Sequence, residues 1–181
     1  YLHPGTQVAH RVDGAIVQVE RYLNGEDKRS SAGLRFEMWR GAWQAFIERP
    51  VQGWGELGYI ERTEAMGESG FISSRAGAFT HAHNEWLNTL AKKGLIGGVI
   101  FAGLYLAPLA GFVRAGQRAG DDRGGDRSRL ALATAGVLFT LGFMATGMTQ
   151  VNFNHNIGAM IYAFMTAVLV GLCYRRPWQE Q

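Results

Sequence analysis

The sequence predicts an all-α protein that crosses a membrane several times, and two observations lead to this prediction. Residues 94–113, 130–149 and 157–174 contain no Asp, Glu, Lys or Arg, and each segment is close to the ~20 residues that a helix needs to cross the hydrocarbon core. The alternative, buried helices of a soluble bundle, would require helices that are apolar all round, with almost no polar face to meet water. The mean hydropathy over all 181 residues, at a net charge of +3, does not reveal these segments, because most of the charged residues lie before residue 94.

Before the apolar segments, the sequence predicts helices joined by loops. A mixed apolar and polar pattern predicts a short helix over residues 12–23. A second, amphipathic helix is predicted to begin near Ser30 or Ser31 and to end at Pro50. Residues 51–58 are rich in glycine and predict a turn, and residues 61–80 predict a mobile polar loop. The second helix is indicated by apolar residues at three- and four-residue spacing: Leu34, Met38, Trp39, Ala42, Trp43, Phe46 and Ile47.

Basic residues predict how the three spans are oriented, because short loops rich in Lys and Arg stay in the cytoplasm. The link at residues 114–129 carries five arginines, and the tail at 175–181 begins with two more. Both are predicted to be cytoplasmic. The turn at residues 150–156 has no Lys or Arg and is predicted to lie outside, as is the whole region 1–93. A kink is expected at Pro108 in the first span.

Composition argues against several other classes of protein. Basic residues do not alternate with exposed aromatic residues, so no nucleic-acid partner is expected. A transporter would be expected to carry charged residues inside its spans, and these spans have none. The single cysteine, Cys173, lies in an apolar segment and is expected to be structural. The chain opens at Tyr1 without a leader segment, which suggests a fragment.

The most concentrated polar cluster runs from His81 to Glu85, directly before the first span. The apolar residues that follow share a helical face, so His83 and Asn84 are expected at the amino end of a helix that enters the membrane. A helix amino terminus attracts phosphate, and imidazole is a common general base. Two alternatives stay open: an interfacial histidine satisfied by backbone, and a zinc site formed by His81, His83 and Glu85.

These residues resemble the histidine motif of the O-antigen ligases and the related O-antigen polymerases. His83 and Asn84 are followed, after nine residues, by Gly94-Leu95-Ile96-Gly97. Upstream, the segment containing Arg35 and the segment Arg49-Pro-Val-Gln-Gly-Trp-Gly55 resemble the part that those proteins place before this histidine. The resemblance covers residues 31–98, and the later spans agree only in general character.

The resemblance implies a carboxy-terminal part of a multi-spanning GT-C-like glycosyltransferase in the bacterial inner membrane, with its active site facing the periplasm. The donor would be an undecaprenyl-diphosphate-linked glycan, and the reaction would be inverting and without a metal or cofactor. His83 would be the general base, and Arg35 would bind the diphosphate because its fixed fork pairs with two oxygens. A further essential arginine of the family has no counterpart in this sequence, so the fragment alone is expected to be inactive.

Several points stay open at this level. The acceptor implied first is a lipid A core sugar, with a protein hydroxyl and a growing O-antigen chain as alternatives. Asn84, His81 and His155 are candidate substrate-binding residues. The alternatives are that His81 orients the loop and that His155 belongs to a wet interfacial turn. Trp39, Trp43 and Trp54 would stack on sugars or, more in keeping with their pattern, pack or anchor at the interface.

Overall fold

The computed structural model describes residues 7–121 and 126–175, and every regular element within these ranges is helical. The predicted all-α class is therefore confirmed. Three of the helices are long and apolar enough to cross a membrane, also as predicted. In chain order the elements are α1 (Gln7–Leu23), α2 (Ser31–Glu48), α3 (Gly55–Glu68), α4 (Ser74–Gly77), α5 (Glu85–Asp121), α6 (Arg127–Gly147), a 3₁₀ turn (Asn152–Asn154) and α7 (Asn156–Tyr174).

The chain divides into two compact units, Tyr1–Leu95 and Ile96–Gln181. We call them the polar unit and the apolar unit. The polar unit holds α1 to α4 and the start of α5, and it contains the predicted histidine cluster. The apolar unit holds the remainder of α5 together with α6 and α7, the three helices that qualify as membrane spans.

Helix α2 is the centre of the polar unit. It begins as predicted, because the Ser30 hydroxyl accepts a hydrogen bond from the Gly33 N–H at 3.2 Å and caps the helix. One face is buried, with Leu34, Met38 and Ala42 one turn apart. These residues belong to a core that also takes side chains from α3, from α4 and from the start of α5.

The predicted mobile loop at residues 61–80 is wrong, because α3 and α4 occupy most of it. The predicted turn at residues 51–58 is also too long, since α3 already begins at Gly55. Tertiary packing overrides the polar composition here: Tyr59, Met66 and Ile72 are each at most 2% exposed. The order of this segment therefore comes from burial against α2 rather than from its own helix propensity.

Helix α5 is broken at Gly94 and not at Pro108, where the kink was expected. Gly94 has φ 61° and ψ −162°, the only non-helical angles within α5. The break is held by the turn after α2: the Leu95 N–H donates to the Pro50 carbonyl at 2.7 Å, and the Trp54 N–H donates to the Ala91 carbonyl at 3.0 Å. A Cβ on Gly94 would overlap the Val51 carbonyl. In the predicted glycine-rich turn, Gly53 comes equally close to α5, because a Cβ on it would overlap the Lys92 carbonyl.

The apolar unit is held by close helix packing and by tyrosine hydrogen bonds. The Tyr162 hydroxyl donates to the Leu104 carbonyl at 2.8 Å, and the Tyr174 hydroxyl donates to the Gly111 carbonyl at 3.0 Å. Gly136 leaves room for the Phe112 ring, which a side chain would displace. Cys173 is buried beside these residues, in keeping with a structural role.

Candidate active site

His83 lies in the loop between α4 and α5 and has a left-handed backbone with φ 47°. It is the one residue other than glycine with positive φ in the described ranges, 7–121 and 126–175. Holding a residue in a sparsely populated backbone region costs roughly 1–3 kcal/mol, and such residues cluster at functional sites. The surrounding contacts must therefore fix His83 in this conformation.

Asn84 supplies one of those contacts, because it caps α5. Its side-chain oxygen accepts a hydrogen bond from the Leu87 N–H at 3.1 Å, and its carbonyl accepts from the Asn88 N–H at 2.9 Å. Helix α5 begins at the next residue, Glu85. The imidazole of His83 thus belongs to the residue just outside a helix amino terminus, where anions are favoured.

His81 and His83 are brought together by the loop. Their rings meet edge to face with centroids 4.2 Å apart, and the Phe79 ring lies 5.7 Å from that of His83. Both histidines are half-buried, whereas Ala82 between them is fully buried. The Ala82 N–H donates to the Asn88 side chain at 3.4 Å, which ties the loop back to α5.

A buried lysine beside this loop was missed by the sequence reasoning. The Lys92 ammonium lies 2.6 Å from a Glu56 carboxylate oxygen and donates to the Thr80 carbonyl at 2.9 Å. It also lies 5.2 Å from the centre of the Tyr59 ring. Burial and, secondly, the charge of Glu56 raise the pKa of Tyr59 above its ordinary value, so this ring stays a neutral phenol. The signal in the sequence was a lysine two residues before Gly94, next to an apolar segment.

Arg35 lies on the second turn of α2 and is half-buried. Among the residues that the structure describes, its guanidinium forms no hydrogen bond or ion pair. This differs from Arg62, which is bound to Glu48 at 2.5 Å, and from Arg49, which stacks on the Trp54 ring at 3.9 Å. Within the described part of the chain, Arg35 therefore keeps its donors available.

The three tryptophans named from the sequence have different surroundings. The Trp54 indole N–H donates to the Ala45 carbonyl at 2.8 Å, and its ring is covered by Arg49. Trp39 is partly buried against the core of the polar unit. Trp43 is 49% exposed, so it alone of the three presents much of its ring to the surroundings. Packing is thus the better interpretation for Trp39 and Trp54.

His155 belongs to the apolar unit. It precedes α7 as the capping residue, its carbonyl accepts from the Ala159 N–H at 3.2 Å, and it is exposed. The neighbouring Asn152 side chain donates to the Thr146 hydroxyl at 2.9 Å. The wet-turn interpretation suits these contacts, and a role for His155 in substrate binding stays a prediction.

The zinc alternative gains no support. Within residues 7–121 and 126–175, no three His, Cys, Asp or Glu side chains lie close enough to hold a metal ion together. His81, His83 and Glu85 are therefore neighbours in sequence without forming a ligand set. The loop is held instead by Asn88 and Lys92, and neither of these residues is a usual metal ligand.

Clefts of different character lie outside the histidine loop, one in each unit. A cleft of about 420 Å³ in the polar unit is lined by Lys28, Arg29, Arg75 and two serines. A cleft of about 670 Å³ in the apolar unit lies between α5 and α7, with Leu104, Pro108 and Tyr162 among its lining residues. The first is basic and the second is almost wholly apolar, so they suit different chemical groups.

The fold and these residues define a helical membrane protein with a histidine at the start of a helix that leads into a span. The sequence matches the family described as O-Antigen ligase over residues 6–102, more than half of the chain, and the chain belongs to this family. That range includes the segment 31–98 on which the resemblance was based. An uncharacterized protein from Haemophilus influenzae is 29% identical over 111 residues, which is 61% of this chain and 28% of that relative. The chain therefore corresponds to little more than a quarter of that relative's length.

Proposed function

We propose that this protein transfers a glycan from undecaprenyl diphosphate to a lipid A core sugar, with His83 as the general base. The observation that carries the proposal is the strained backbone of His83 at the amino terminus of α5, in a chain of the O-antigen ligase family. A general base is worth roughly 10²- to 10⁴-fold in rate if it is positioned on the proton that it removes. The cap at Asn84 and the bond from Ala82 to Asn88 support such positioning.

In the proposed step, His83 takes the proton of the acceptor hydroxyl while the acceptor oxygen forms a bond to the anomeric carbon of the donor sugar. The bond from that carbon to the diphosphate oxygen breaks, and undecaprenyl diphosphate leaves with the electron pair. Attack opposite to the leaving group inverts the anomeric centre. No metal ion takes part in this scheme.

The departing diphosphate carries negative charge, and Arg35 is the proposed partner. Its guanidinium is half-buried and forms no ion pair among the described residues, so it can pair with two phosphate oxygens. Asn84 and His81 are proposed to contact the substrate from the same loop as His83.

The proposed location is the bacterial inner membrane, with the polar unit in the periplasm. Arginines beside the apolar helices support this proposal, since Arg127 and Arg129 lie at the start of α6 and Arg175 follows α7, and short segments rich in Arg stay in the cytoplasm. A protease site inserted at Gly124 tests it. Cleavage from the outside of intact spheroplasts would overturn the orientation and the periplasmic site together.

Replacement of His83 by Ala in the full-length gene product tests the mechanism. We expect transfer of glycan to fall by at least ~10²-fold, with membrane insertion unchanged. His10→Ala, on the exposed side of α1, is the matched control and should keep wild-type transfer. Undiminished transfer by the His83 variant would remove the proposed base.

Arg35→Lys tests the diphosphate contact, because an ammonium is a point charge and cannot form a bidentate pair. We expect a weaker transferase, with Arg11→Lys on exposed α1 as the control. Wild-type turnover in the Arg35 variant would argue against the contact. Activity after exhaustive chelation with EDTA is expected to be full, and strict dependence on added metal would contradict the metal-independent scheme.

The acceptor is tested in a deletion strain. Loss of the long lipopolysaccharide ladder with free lipid A core would support the ligase. Loss of a glycoprotein stain with an intact ladder would instead indicate a protein acceptor. Short but still ligated chains would indicate an O-antigen polymerase.

A further inference from the structure

Lys92 is an unusual residue for its place in the chain. It lies near the end of the first part of α5, two residues before the break at Gly94. Its side chain is only 2% exposed. Burying a lysine costs free energy unless its ammonium is paired and hydrogen-bonded, so the contacts of this group must compensate for the lost water.

Two of these contacts join separate parts of the polar unit. The first is the ion pair of 2.6 Å with Glu56, which lies in the first turn of α3 and is 61% exposed. The second is the hydrogen bond of 2.9 Å to the Thr80 carbonyl. Lys92 thus connects the start of α3 with the loop that carries the two histidines.

The Thr80 carbonyl is the last backbone group before His81. On the far side of His81, the Ala82 N–H is bound by Asn88, one turn before Lys92 on α5. The loop is therefore tied to the same helix on both sides of His81, first through Lys92 and then through Asn88. The Asn84 cap adds a third tie after His83.

We infer that Lys92 is a positioning residue, whose ammonium fixes the Thr80–Asn84 loop so that His83 keeps its left-handed backbone. The inference rests on the proposed function, in which His83 is the base. A hydrogen bond to a carbonyl requires a donor, so an apolar side chain of the same length would fill the space without holding the loop. The Glu56 carboxylate, 2.6 Å from the ammonium, holds it beside the Thr80 carbonyl.

The central experiment compares Lys92→Met with Lys93→Met in the full-length protein, purified in detergent. Lys93 is the neighbouring residue and is exposed, so its variant controls for loss of a positive charge at this end of α5. Steady-state transfer is measured with the lipid-linked donor and its acceptor. Hydrogen exchange of the amides at residues 79–84 is measured in parallel, because it reports the loop without requiring activity.

For Lys92→Met we expect kcat to fall about 10- to 100-fold, since misplacing a catalytic group by 1 Å has an effect of that size. The donor KM should change little, because the inferred role of Lys92 is to hold the loop and not to bind the donor. The rate of hydrogen exchange at the Ala82 amide should rise, whereas the exchange rates of the α2 amides should not change. Lys92→Arg should restore part of kcat by supplying a donor again, and Lys93→Met should match the wild type.

Three results would overturn the inference. These are a wild-type kcat for Lys92→Met, a lower kcat with unchanged exchange at residues 79–84, or exchange that rises equally throughout the polar unit. Should Lys92→Met fail to fold, Glu56→Gln on the exposed side of the pair replaces it, and unchanged exchange in the loop of that variant would count against the inference. If His83→Ala keeps full transfer while Lys92→Met still loosens the loop, the proposed base fails and the positioning of the loop stands.

Discussion

Replacement of Gly94 by Ala addresses the point where α5 breaks, at the end of the polar unit. The backbone of Gly94, with φ 61° and ψ −162°, is in a region that only glycine occupies without strain. A Cβ at this position would also overlap the Val51 carbonyl and the Gln52 nitrogen, and both are backbone atoms that cannot rotate away. The substitution therefore meets two independent penalties.

The size of the effect follows from these penalties. A strained backbone costs about 1–3 kcal/mol, and forcing an extra carbon into a packed site typically costs about 1–3 kcal/mol. We expect Gly94→Ala to lower the free energy of unfolding by about 2–6 kcal/mol in total. For a chain of this length the melting temperature should fall by at least about 4 °C.

Thermal unfolding in detergent, followed by tryptophan fluorescence, measures the effect. Gly142→Ala is the matched control: Gly142 lies within α6, and a Cβ there would meet no atom within 4 Å. Alanine is the better helix former by about 1 kcal/mol, so the control should be neutral or slightly stabilised. If both variants have the melting temperature of the wild type, the reasoning about the break is wrong.

Two further predictions concern the polar unit. Glu37 is fully buried and accepts hydrogen bonds from the Tyr22 hydroxyl at 3.0 Å and the Ser73 N–H at 2.8 Å. Glu37→Ala removes the acceptor of both donors and should lower the free energy of chemical unfolding by about 2–5 kcal/mol. The control Glu64→Ala, at an exposed position, should lower it by less than about 0.5 kcal/mol. Hydrogen bonds from Arg62 hold the pKa of Glu48 below its ordinary value of 4.5, so this pair stabilises the folded state above that pH and ceases to do so as pH falls through the lower folded pKa. Melting curves from pH 7 downward should show a smaller acid-induced loss of stability for Glu48→Gln than for the wild type or the control Glu61→Gln, and identical curves would contradict the assignment.

Much of the fold could be predicted from the residues alone. The absence of charged residues over 94–113, 130–149 and 157–174 identified the three apolar helices, because a helix without a polar face must be buried away from water. The start of α2 was predicted from Ser30, since a capping hydroxyl acts on the N–H groups next to it. These are local signals, carried by residues close together in the chain.

Predictions failed where long-range packing decided the outcome. Residues 61–80 have the composition of a loop, yet Tyr59, Met66 and Ile72 are buried against α2 and hold α3 and α4 in place. The break in α5 was expected at Pro108 because proline removes a backbone donor. It occurs at Gly94 because the turn after α2 supplies the Pro50 carbonyl to the Leu95 N–H.

The sequence by itself determined that this is a helical membrane protein with His83 at the start of a membrane-entering helix. Helix periodicity, caps and apolar length depend on neighbouring residues, and the match to the O-antigen ligase family agrees with them. Only the tertiary structure decided that Lys92, Glu56 and Thr80 meet, and that the His83 backbone is left-handed. Those features depend on contacts between residues that are far apart in the sequence, and a local sequence pattern does not specify such contacts.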